Sequence, residues 1–214
     1  MPITSMLSKP ARLVALIASC AWGFATGSPS ASQVPLTDGT SISITKREHR
    51  GYTFTAQQTK ERRPAYRVHV DQDLLLATQR ADQLRVVGQR AVVVNNRTFI
   101  VLAAQTPSTS RQGPGFCGAG SEDRLLLTEW LSDRRQLLLR DALLVQSCLQ
   151  TLSLWSDAGG DAFAALTSNA DPARMQWSWV QHPTYGDRPV SVSIESARFA
   201  IKPAQPVPDS EKDH

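Results

Sequence analysis

The stretch Val92-Val93-Val94-Asn95-Asn96-Arg97-Thr98-Phe99-Ile100-Val101-Leu102 carries the strongest local signal for the fold. Two apolar runs, Val92–Val94 and Thr98–Leu102, flank the pair Asn95 and Asn96. Asparagine tolerates the positive φ angles that a two-residue primed turn requires, so the stretch predicts a β-hairpin. Because apolar residues are consecutive in both arms, we expect both arms to be central strands covered on both faces.

Most of the surrounding chain also predicts short strands. Leu84–Val87, which ends at Gly88, predicts a strand beside the hairpin. Alternation of polar and apolar residues predicts further strands at residues 41–45, 52–55, 65–70, 151–155 and 175–179. Between residues 190 and 201 the apolar residues move from even to odd positions, and we expect a β-bulge between Glu195 and Ala197 to cause this change.

The leucine-rich block between residues 121 and 150 has two interpretations. Ser121, Glu122 and Asp123 resemble the start of a helix, and leucine is a good helix former. However, two apolar runs flank the polar residues 132–135, which favours two strands around a turn, with a short helix between residues 141 and 149 as an alternative. Residues 73–81 fit either a short helix or a strand. The predicted fold is mainly β, a single domain of antiparallel hairpins with one or two short helices, and an α+β fold is the alternative.

The N-terminal segment has the pattern of an export signal. Lys9 and Arg12 precede a short apolar run that starts at Leu13, and small residues with a Ser-, Pro- and Gly-rich stretch follow. The apolar run is too short to span a bilayer as a helix. We therefore expect a signal peptide over residues 1–20, a flexible linker over 21–40, a globular domain over 41–201 and a disordered Pro-rich, charged tail over 202–214.

Two kinds of processing are compatible with this segment. Ile17-Ala18-Ser19-Cys20 resembles a permissive version of the bacterial lipobox, in which the cysteine is acylated and becomes the mature N-terminus. The resemblance covers four residues, and Ile17 stands where leucine is usual. The alternative is ordinary cleavage after a small residue such as Ala25, which removes Cys20. The expected location is the periplasm, with anchoring to the outer membrane if Cys20 is acylated.

Two further cysteines, Cys117 and Cys148, are separated by 31 positions. In an oxidising compartment such an even pair predicts a disulfide. Closing a loop of this length stabilises a protein by about 3–4 kcal/mol in the chain-entropy model. A metal-binding or reactive role has less support, because the sequence has no CxxC motif and no cysteine–histidine cluster at ligand spacing.

Composition narrows the range of partners. Without residues 1–19 the chain keeps 21 of its 23 basic residues against 19 acidic ones, a net charge of +2. Lysine and arginine are interspersed with acidic residues, which does not match the concentrated basic face of a nucleic-acid-binding protein. The sequence also predicts neither cofactor nor metal: residues 113–123 are rich in glycine but lack the Gly-Lys-Ser/Thr ending of a P-loop.

A small set of residues remains as binding candidates. Phe116 and Glu122 belong to the glycine-rich segment, which we expect to be a loop that the disulfide braces and that presents both side chains. Trp177 and Trp179 lie two apart on a predicted strand, where tryptophan is usually core but can form a recognition surface if exposed. His182 and Tyr185 occupy the following loop.

The sequence favours a non-enzymatic binding protein of the cell envelope, of the inhibitor or immunity-protein type, whose partner is another protein. Its support is the export signal, the braced β-rich domain and the lack of a catalytic motif. One alternative is a periplasmic hydrolase whose site forms around His182, Tyr185 and Asp187. A second is a structural or assembly lipoprotein of the envelope.

Overall fold

The computed structural model describes residues 32–47, 51–61, 63–108, 120–150, 152–155 and 161–204. The structure is mainly β, as the sequence predicts, with 59% of the described residues in strands and 9% in helices. In chain order the elements are β1 (Ser32–Pro35), β2 (Thr40–Arg47), β3 (Gly51–Gln58), β4 (Tyr66–Arg67), β5 (His69–Val70), α1 (Gln72–Gln79), β6 (Gln83–Val86), β7 (Val92–Val94), β8 (Arg97–Pro107), β9 (Ser121–Leu131), β10 (Gln136–Ser147), β11 (Ser153–Leu154), α2 (Ala162–Thr167), β12 (Arg174–Gln181), β13 (Pro189–Glu195) and β14 (Arg198–Pro203).

The strands form three sheets. A six-stranded central sheet has the order β5-β10-β9-β8-β6, with β7 also paired to β8. The N-terminal outer sheet has the order β1-β2-β3-β4, and the C-terminal outer sheet has the order β11-β12-β13-β14. Neighbouring strands are antiparallel except for a short parallel pair between β5 and β10.

The central sheet is buried on both faces because β8 and β9 are apolar at consecutive positions. Ile100 and Leu102 of β8 pack with Leu126 of β9 into a core shared with the N-terminal outer sheet. Val101 of β8 and Leu127 of β9 pack on the opposite face into a second core, shared with the C-terminal outer sheet. The molecule is therefore a three-layer β structure, in which alternate residues of the same strands serve two separate cores.

The predicted hairpin at Asn95 and Asn96 is confirmed. Both residues have positive φ angles, 50° and 60°, and Val92 pairs with Phe99 across the turn. The expectation that both arms are covered on both faces is right for β8 and wrong for β7. Strand β7 has only three residues, and its Val93 is 50% exposed because no further strand covers it.

The leucine-rich block forms the predicted hairpin rather than a helix. Strands β9 and β10 pair through a turn at residues 132–135, in which Arg135 has a φ angle of 51°. The alternative short helix between residues 141 and 149 does not form, because β10 continues to Ser147. Two register shifts, between Leu139 and Asp141 and between Leu144 and Gln146, mark β-bulges in β10.

Each of two short helices connects two strands of one sheet, α1 in the central sheet and α2 in the C-terminal outer sheet. Most of residues 73–81 lies in a helix, α1 (Gln72–Gln79), rather than in a strand. The Asp71 side chain caps the start of this helix by accepting a hydrogen bond from the Leu74 amide at 2.9 Å. The second Asp71 oxygen accepts from the Leu139 amide at 3.0 Å, which ties α1 to strand β10. Helix α2 follows Asp161 and buries Phe163 in the second core.

Two other expectations differ from the structure. The β-bulge expected between Glu195 and Ala197 is wrong: Ser196 and Ala197 form a two-residue turn with φ angles of 48° and 63°. The change from even to odd positions occurs because the chain reverses there, and Glu195 pairs with Arg198. Strand β1 lies within residues 21–40, which composition assigns to the linker, and the packed structure therefore includes residues 32–40.

Candidate binding groove

A groove of about 950 Å³ lies on the central sheet beside the N-terminal outer sheet. Its floor contains alternate residues of β9, namely Glu122, Arg124 and Leu126, because these side chains point to the same face of the strand. The second half of α1 and the facing ends of β2 and β3 form its wall. The groove thus combines segments that are far apart in the sequence, from residue 46 to residue 149.

Positive charge predominates in this groove. Four of the described residues that line it are basic and two are acidic. The basic residues are Lys46, Arg47, Arg80 and Arg124, and the acidic ones are Asp82 and Glu122. The Lys46 ammonium group is held at the edge by a 2.6 Å hydrogen bond that it donates to the backbone carbonyl of Asp82. A groove with this excess of cations favours an anionic ligand.

Two exposed leucines add apolar surface to the same groove. Leu76 on α1 is 59% exposed and Leu149, which follows β10, is 52% exposed. Exposed leucines are common singly on protein surfaces, but a pair in one basic groove offers both apolar and charged contacts. The groove therefore suits a ligand that carries negative charge together with apolar groups.

Glu122 is part of the floor of this groove and is not presented by a loop. It lies on strand β9 and is only 7% exposed, so the expectation that a loop presents it is wrong. Its carboxylate accepts a 2.6 Å hydrogen bond from the Ser147 hydroxyl and a longer one, 3.4 Å, from Arg124. Ser147 in turn accepts from the Gln150 amide. Glu122 consequently ties β9 to β10 and shapes the floor.

Asp123 lies on the opposite face of β9 and is 1% exposed. Burial raises the pKa of this carboxyl, while hydrogen bonds from Gln105 and Ser121 act in the other direction. The nearby charges of Asp161 and Glu122 raise the pKa further. Among the described residues its Oδ1 atom has no hydrogen-bond partner. The surroundings of Asp123 therefore disfavour its charged form relative to a carboxyl in water.

Glu129, further along the same face of β9, has the opposite environment. Arg97 donates two hydrogen bonds to its carboxylate, each 2.7 Å long, and Arg140 donates another of 2.5 Å from Nε. The hydrogen bonds from Arg97 are the largest cause of the lowered pKa of Glu129, and Arg140 adds to the effect. This cluster joins three strands of the central sheet, since Arg97 belongs to β8 and Arg140 to β10.

The predicted tryptophans of β12 are mainly core residues. Trp179 is 1% exposed, and its indole Nε1–H donates a 2.7 Å hydrogen bond to the carbonyl of Val145 on the central sheet. Trp177 lies on the same face and contacts Trp179 edge-on, with ring centroids 5.7 Å apart. Trp177 is only partly buried, so this ring alone of the predicted pair is a candidate for contact with a ligand.

His182 and Tyr185 pack beside Trp179 and stabilise a turn. The Trp179 ring lies 4.3 Å from the His182 ring and 5.7 Å from the Tyr185 ring, measured between centroids. The Nδ1 atom of His182 accepts hydrogen bonds from the amides of Thr184 and Tyr185, at 3.0 and 3.2 Å. Burial lowers the pKa of His182, which favours the neutral ring that can accept these bonds. Its Nδ1 atom is therefore used by the turn itself.

The remaining predicted residues are mostly outside the described part of the chain. Phe116, Cys117 and Cys20 lie there, so the acylation of Cys20 and the Cys117–Cys148 pairing stay predictions. Cys148 itself is a disulfide cysteine in the structure. A Cβ atom on Gly120 would lie 2.8 Å from the Cβ atom of Cys148, which explains why glycine is needed at that position.

Sequence reasoning missed most of the groove. Arg80, Arg124, Leu76 and Leu149 were not candidates, because each is an ordinary surface residue in its own segment. The described residues contain no group of three or more His, Cys, Asp or Glu side chains placed to hold a metal ion. Among them, no helix has both the length and the apolar character needed to cross a bilayer.

Comparison with protein-family models and with curated proteins finds no match to this chain. The residues of the groove are therefore interpreted from their geometry and chemistry alone.

Proposed function

We propose that this chain is a non-enzymatic binding protein of the cell envelope, of the inhibitor or immunity-protein type, and that the groove receives an acidic segment of another exported protein. The observation that carries this proposal is the composition of the groove, in which four cations and two exposed leucines surround a volume of about 950 Å³. Protein interfaces combine apolar anchors with charged groups that orient the partner.

The size of the groove supports a peptide segment or loop as its occupant. Ligand cavities of about 300–1,000 Å³ hold a drug-sized molecule or a few side chains of a partner. The four cations and two carboxylates leave an excess of two positive charges, and Glu122 is already bound to Ser147 and Arg124. An extended acidic segment with one or two apolar side chains is therefore complementary to this surface.

The titratable groups of the groove are better suited to binding than to catalysis. Glu122 accepts hydrogen bonds from a serine and an arginine, so its carboxylate oxygens are already used to tie β9 to β10. Lys46 is bound to a backbone carbonyl, and Arg80 follows the C-terminus of α1. Arginine remains protonated at physiological pH, so the arginines of the groove supply fixed charge rather than a proton donor or base.

The predicted export supports the same proposal. The N-terminal pattern of residues 1–20 predicts export, and the disulfide state of Cys148 is typical of proteins in oxidising compartments. An envelope protein with a basic groove on a rigid three-layer domain is well suited to bind an enzyme that acts there.

The test uses the exported protein, immobilised and exposed to an envelope extract of its own source organism. Arg47→Glu/Arg80→Glu reverses two exposed charges of the groove, and Arg134→Glu/Arg188→Glu makes the same change at exposed positions outside it. We expect one envelope protein to bind the wild type and the second variant but not the first. The captured protein, once purified, should form a 1:1 complex with a dissociation constant of about 1 μM or lower.

Equal capture by both variants would show that the groove is not the binding surface. Failure of the wild type to retain any envelope protein would overturn the proposed function itself. Circular dichroism of both variants checks that each keeps the β-rich fold.

A further inference from the structure

A second cleft, separate from the basic groove, lies between helix α2 and strand β12. Its volume is about 540 Å³, and strand β11 closes one side of it. Asn169 joins the two walls, because its Nδ2 group donates to the Leu166 carbonyl at 3.1 Å and its Oδ1 atom accepts from the Gln176 amide at 3.3 Å. These two bonds fix the distance between the helix and the strand, so the cleft is built into the fold.

The cleft has polar groups but no charge among the described residues that line it. Hydroxyl groups come from Ser168 and Ser178, and amide groups from Asn169 and Gln176. The basic groove, in contrast, is lined by six ionisable side chains. A site without charged groups cannot compensate the desolvation of an ionic ligand, so its chemistry favours a neutral, polar one.

Two indole rings supply the flat apolar surface of this cleft. Trp155 is 57% exposed, although its backbone amide is fixed to strand β12 by a 2.8 Å hydrogen bond to the Ser178 carbonyl. An indole side chain has few rotatable bonds, so it loses little conformational entropy when a ligand binds. Such a ring is typical of a recognition surface rather than of a core.

Trp177, the second ring, differs from its neighbour Trp179 in its hydrogen bonding. The Trp179 indole donates to Val145, whereas the buried Nε1–H of Trp177 has no acceptor among the described residues. An unpaired buried donor costs free energy, and a small turn of the ring toward an acceptor in the cleft would recover it. A ligand with several oxygen atoms provides that acceptor.

We propose that this cleft binds a neutral saccharide. A sugar ring has an apolar C–H face that packs on an indole and a rim of uncharged hydroxyl groups. Trp155 then stacks on the sugar ring. The hydroxyl groups of Ser168 and Ser178, the side-chain amide of Gln176 and the Nε1–H group of Trp177 form hydrogen bonds with the hydroxyl groups of the sugar. Cavities of about 300–1,000 Å³ accommodate small ligands, so 540 Å³ is enough for a short oligosaccharide. The inference is independent of the groove and of any protein partner.

Calorimetric titration of the full exported protein tests this proposal. The probes are the tetrasaccharides of glucose and of N-acetylglucosamine, both neutral, and tetragalacturonate, which is acidic. We expect at least one neutral sugar to bind with a dissociation constant of about 1 mM and the acidic sugar to bind much more weakly. Trp155→Ala should weaken the binding about tenfold, because it removes the stacking surface.

A matched control distinguishes loss of the site from loss of the fold. Leu75→Ala truncates a side chain of similar exposure, 50%, that lines neither the cleft nor the basic groove, and it should leave sugar affinity unchanged. Since Trp155 is more than half exposed, Trp155→Ala keeps both cores intact. The proposal is overturned if neither neutral sugar binds at about 10 mM, or if Trp155→Ala binds as tightly as the wild type.

The sugar can be a free oligosaccharide or part of a wall polymer, and a second measurement separates these sources. Co-sedimentation with isolated cell-wall glycan that is lost in Trp155→Ala identifies the polymer as the ligand. Binding of the free tetrasaccharide without co-sedimentation identifies a soluble sugar.

Discussion

Asp123 and Glu129 lie on the same face of strand β9 and are almost equally buried, at 1% and 4% exposure, yet their pKa values move in opposite directions. Glu129 is bound by the two arginines Arg97 and Arg140, which lower its pKa. Asp123 has only neutral hydrogen-bond donors and two acidic neighbours, and burial raises its pKa. At Glu129 the interactions with the two arginines outweigh the effect of burial on the pKa, whereas at Asp123 burial is the largest cause of the shift.

The two carboxyls face different residues of strand β10. Its register against β9 shifts between Leu139 and Asp141, so Arg140 is the extra residue of a β-bulge. Arg140 lies two residues after Leu138, which pairs with Glu129, and its guanidinium group reaches the Glu129 carboxylate. The second bulge, between Leu144 and Gln146, lies opposite Asp123 and has Val145 as its extra residue, which brings no charge.

Removing the charge of Glu129, which is paired with two arginines, should have the largest effect on the stability of the fold. Glu129→Gln leaves Arg97 and Arg140 facing each other around a neutral amide. We expect a loss of about 2 kcal/mol in the free energy of unfolding, less than for a fully buried ion pair because both arginines reach solvent. Urea unfolding at pH 7, followed by circular dichroism, measures this change.

The control for this prediction is Glu195→Gln, which removes an exposed carboxylate paired with Lys202. It should change the stability far less than Glu129→Gln. Equal losses in the two variants would contradict the view that burial makes the Glu129 cluster important.

The same type of substitution at Asp123, which has no cationic partner among the described residues, should increase stability rather than reduce it. Asp123→Asn keeps the size of the side chain but removes the need to bury a charge. We expect the protein to gain about 1 kcal/mol at pH 7, the usual scale of the cost of a poorly satisfied buried polar group. The measurement is the same urea titration, and a loss of stability in Asp123→Asn would contradict the prediction.

The pH dependence of the two variants sharpens the contrast. The folded-state pKa of Asp123 is above 3.8. This carboxyl therefore reduces stability when the pH is above the folded-state pKa, and the effect is absent when the pH is below the unfolded-state pKa. The folded-state pKa of Glu129 is below 4.5, so its contribution is present above the unfolded-state pKa and is lost as the pH falls through the folded value. The difference in the free energy of unfolding between each variant and the wild type should therefore become smaller as the pH is lowered from 7 to about 3. Asp123→Asn approaches the wild type from higher stability, and Glu129→Gln approaches it from lower stability.

The smallest predicted effect is the difference between Arg97 and Arg140 in their contributions to stability. Arg97 donates two bonds to Glu129 and its guanidinium lies 5.2 Å from the Phe99 ring, whereas Arg140 contacts one oxygen of Glu129. Lysine cannot reproduce a bidentate contact. Arg97→Lys should therefore reduce stability by about 0.5–1 kcal/mol and Arg140→Lys by less, in the same urea assay. The reverse order would show that the bulged arginine is the more important partner.

The sequence predicts the centre of the fold better than its edges. Consecutive apolar residues identify β8 as a strand with two buried faces, and Asn95-Asn96 identifies its turn, because asparagine favours positive φ. Ser196 and Ala197 adopt the same backbone shape without such a preference, so the second hairpin turn resembles a bulge in the sequence. Helix α2 has only six residues and its pattern is too short to recognise.

The binding surfaces depend on contacts that no local pattern contains. The groove requires Lys46, Arg80 and Arg124 to meet across three elements of the fold. Trp177 and Trp179 alternate in the sequence like two equal core residues, yet only Trp179 has a hydrogen-bond acceptor among the described residues. Their different environments come from the position of α2 and from the Val145 carbonyl on another sheet.

The arrangement of two cores around one sheet also affects the order in which the protein can fold during synthesis. The N-terminal outer sheet and the central strands are complete by residue 147, so the first core can form as the chain emerges from the ribosome or translocation channel. The other face of the central sheet, with Phe99, Val101 and Leu127, stays in contact with water until residues 174–203 arrive. A nascent chain of this length exposes a broad apolar sheet surface, which makes it a substrate for chaperones and prone to aggregation.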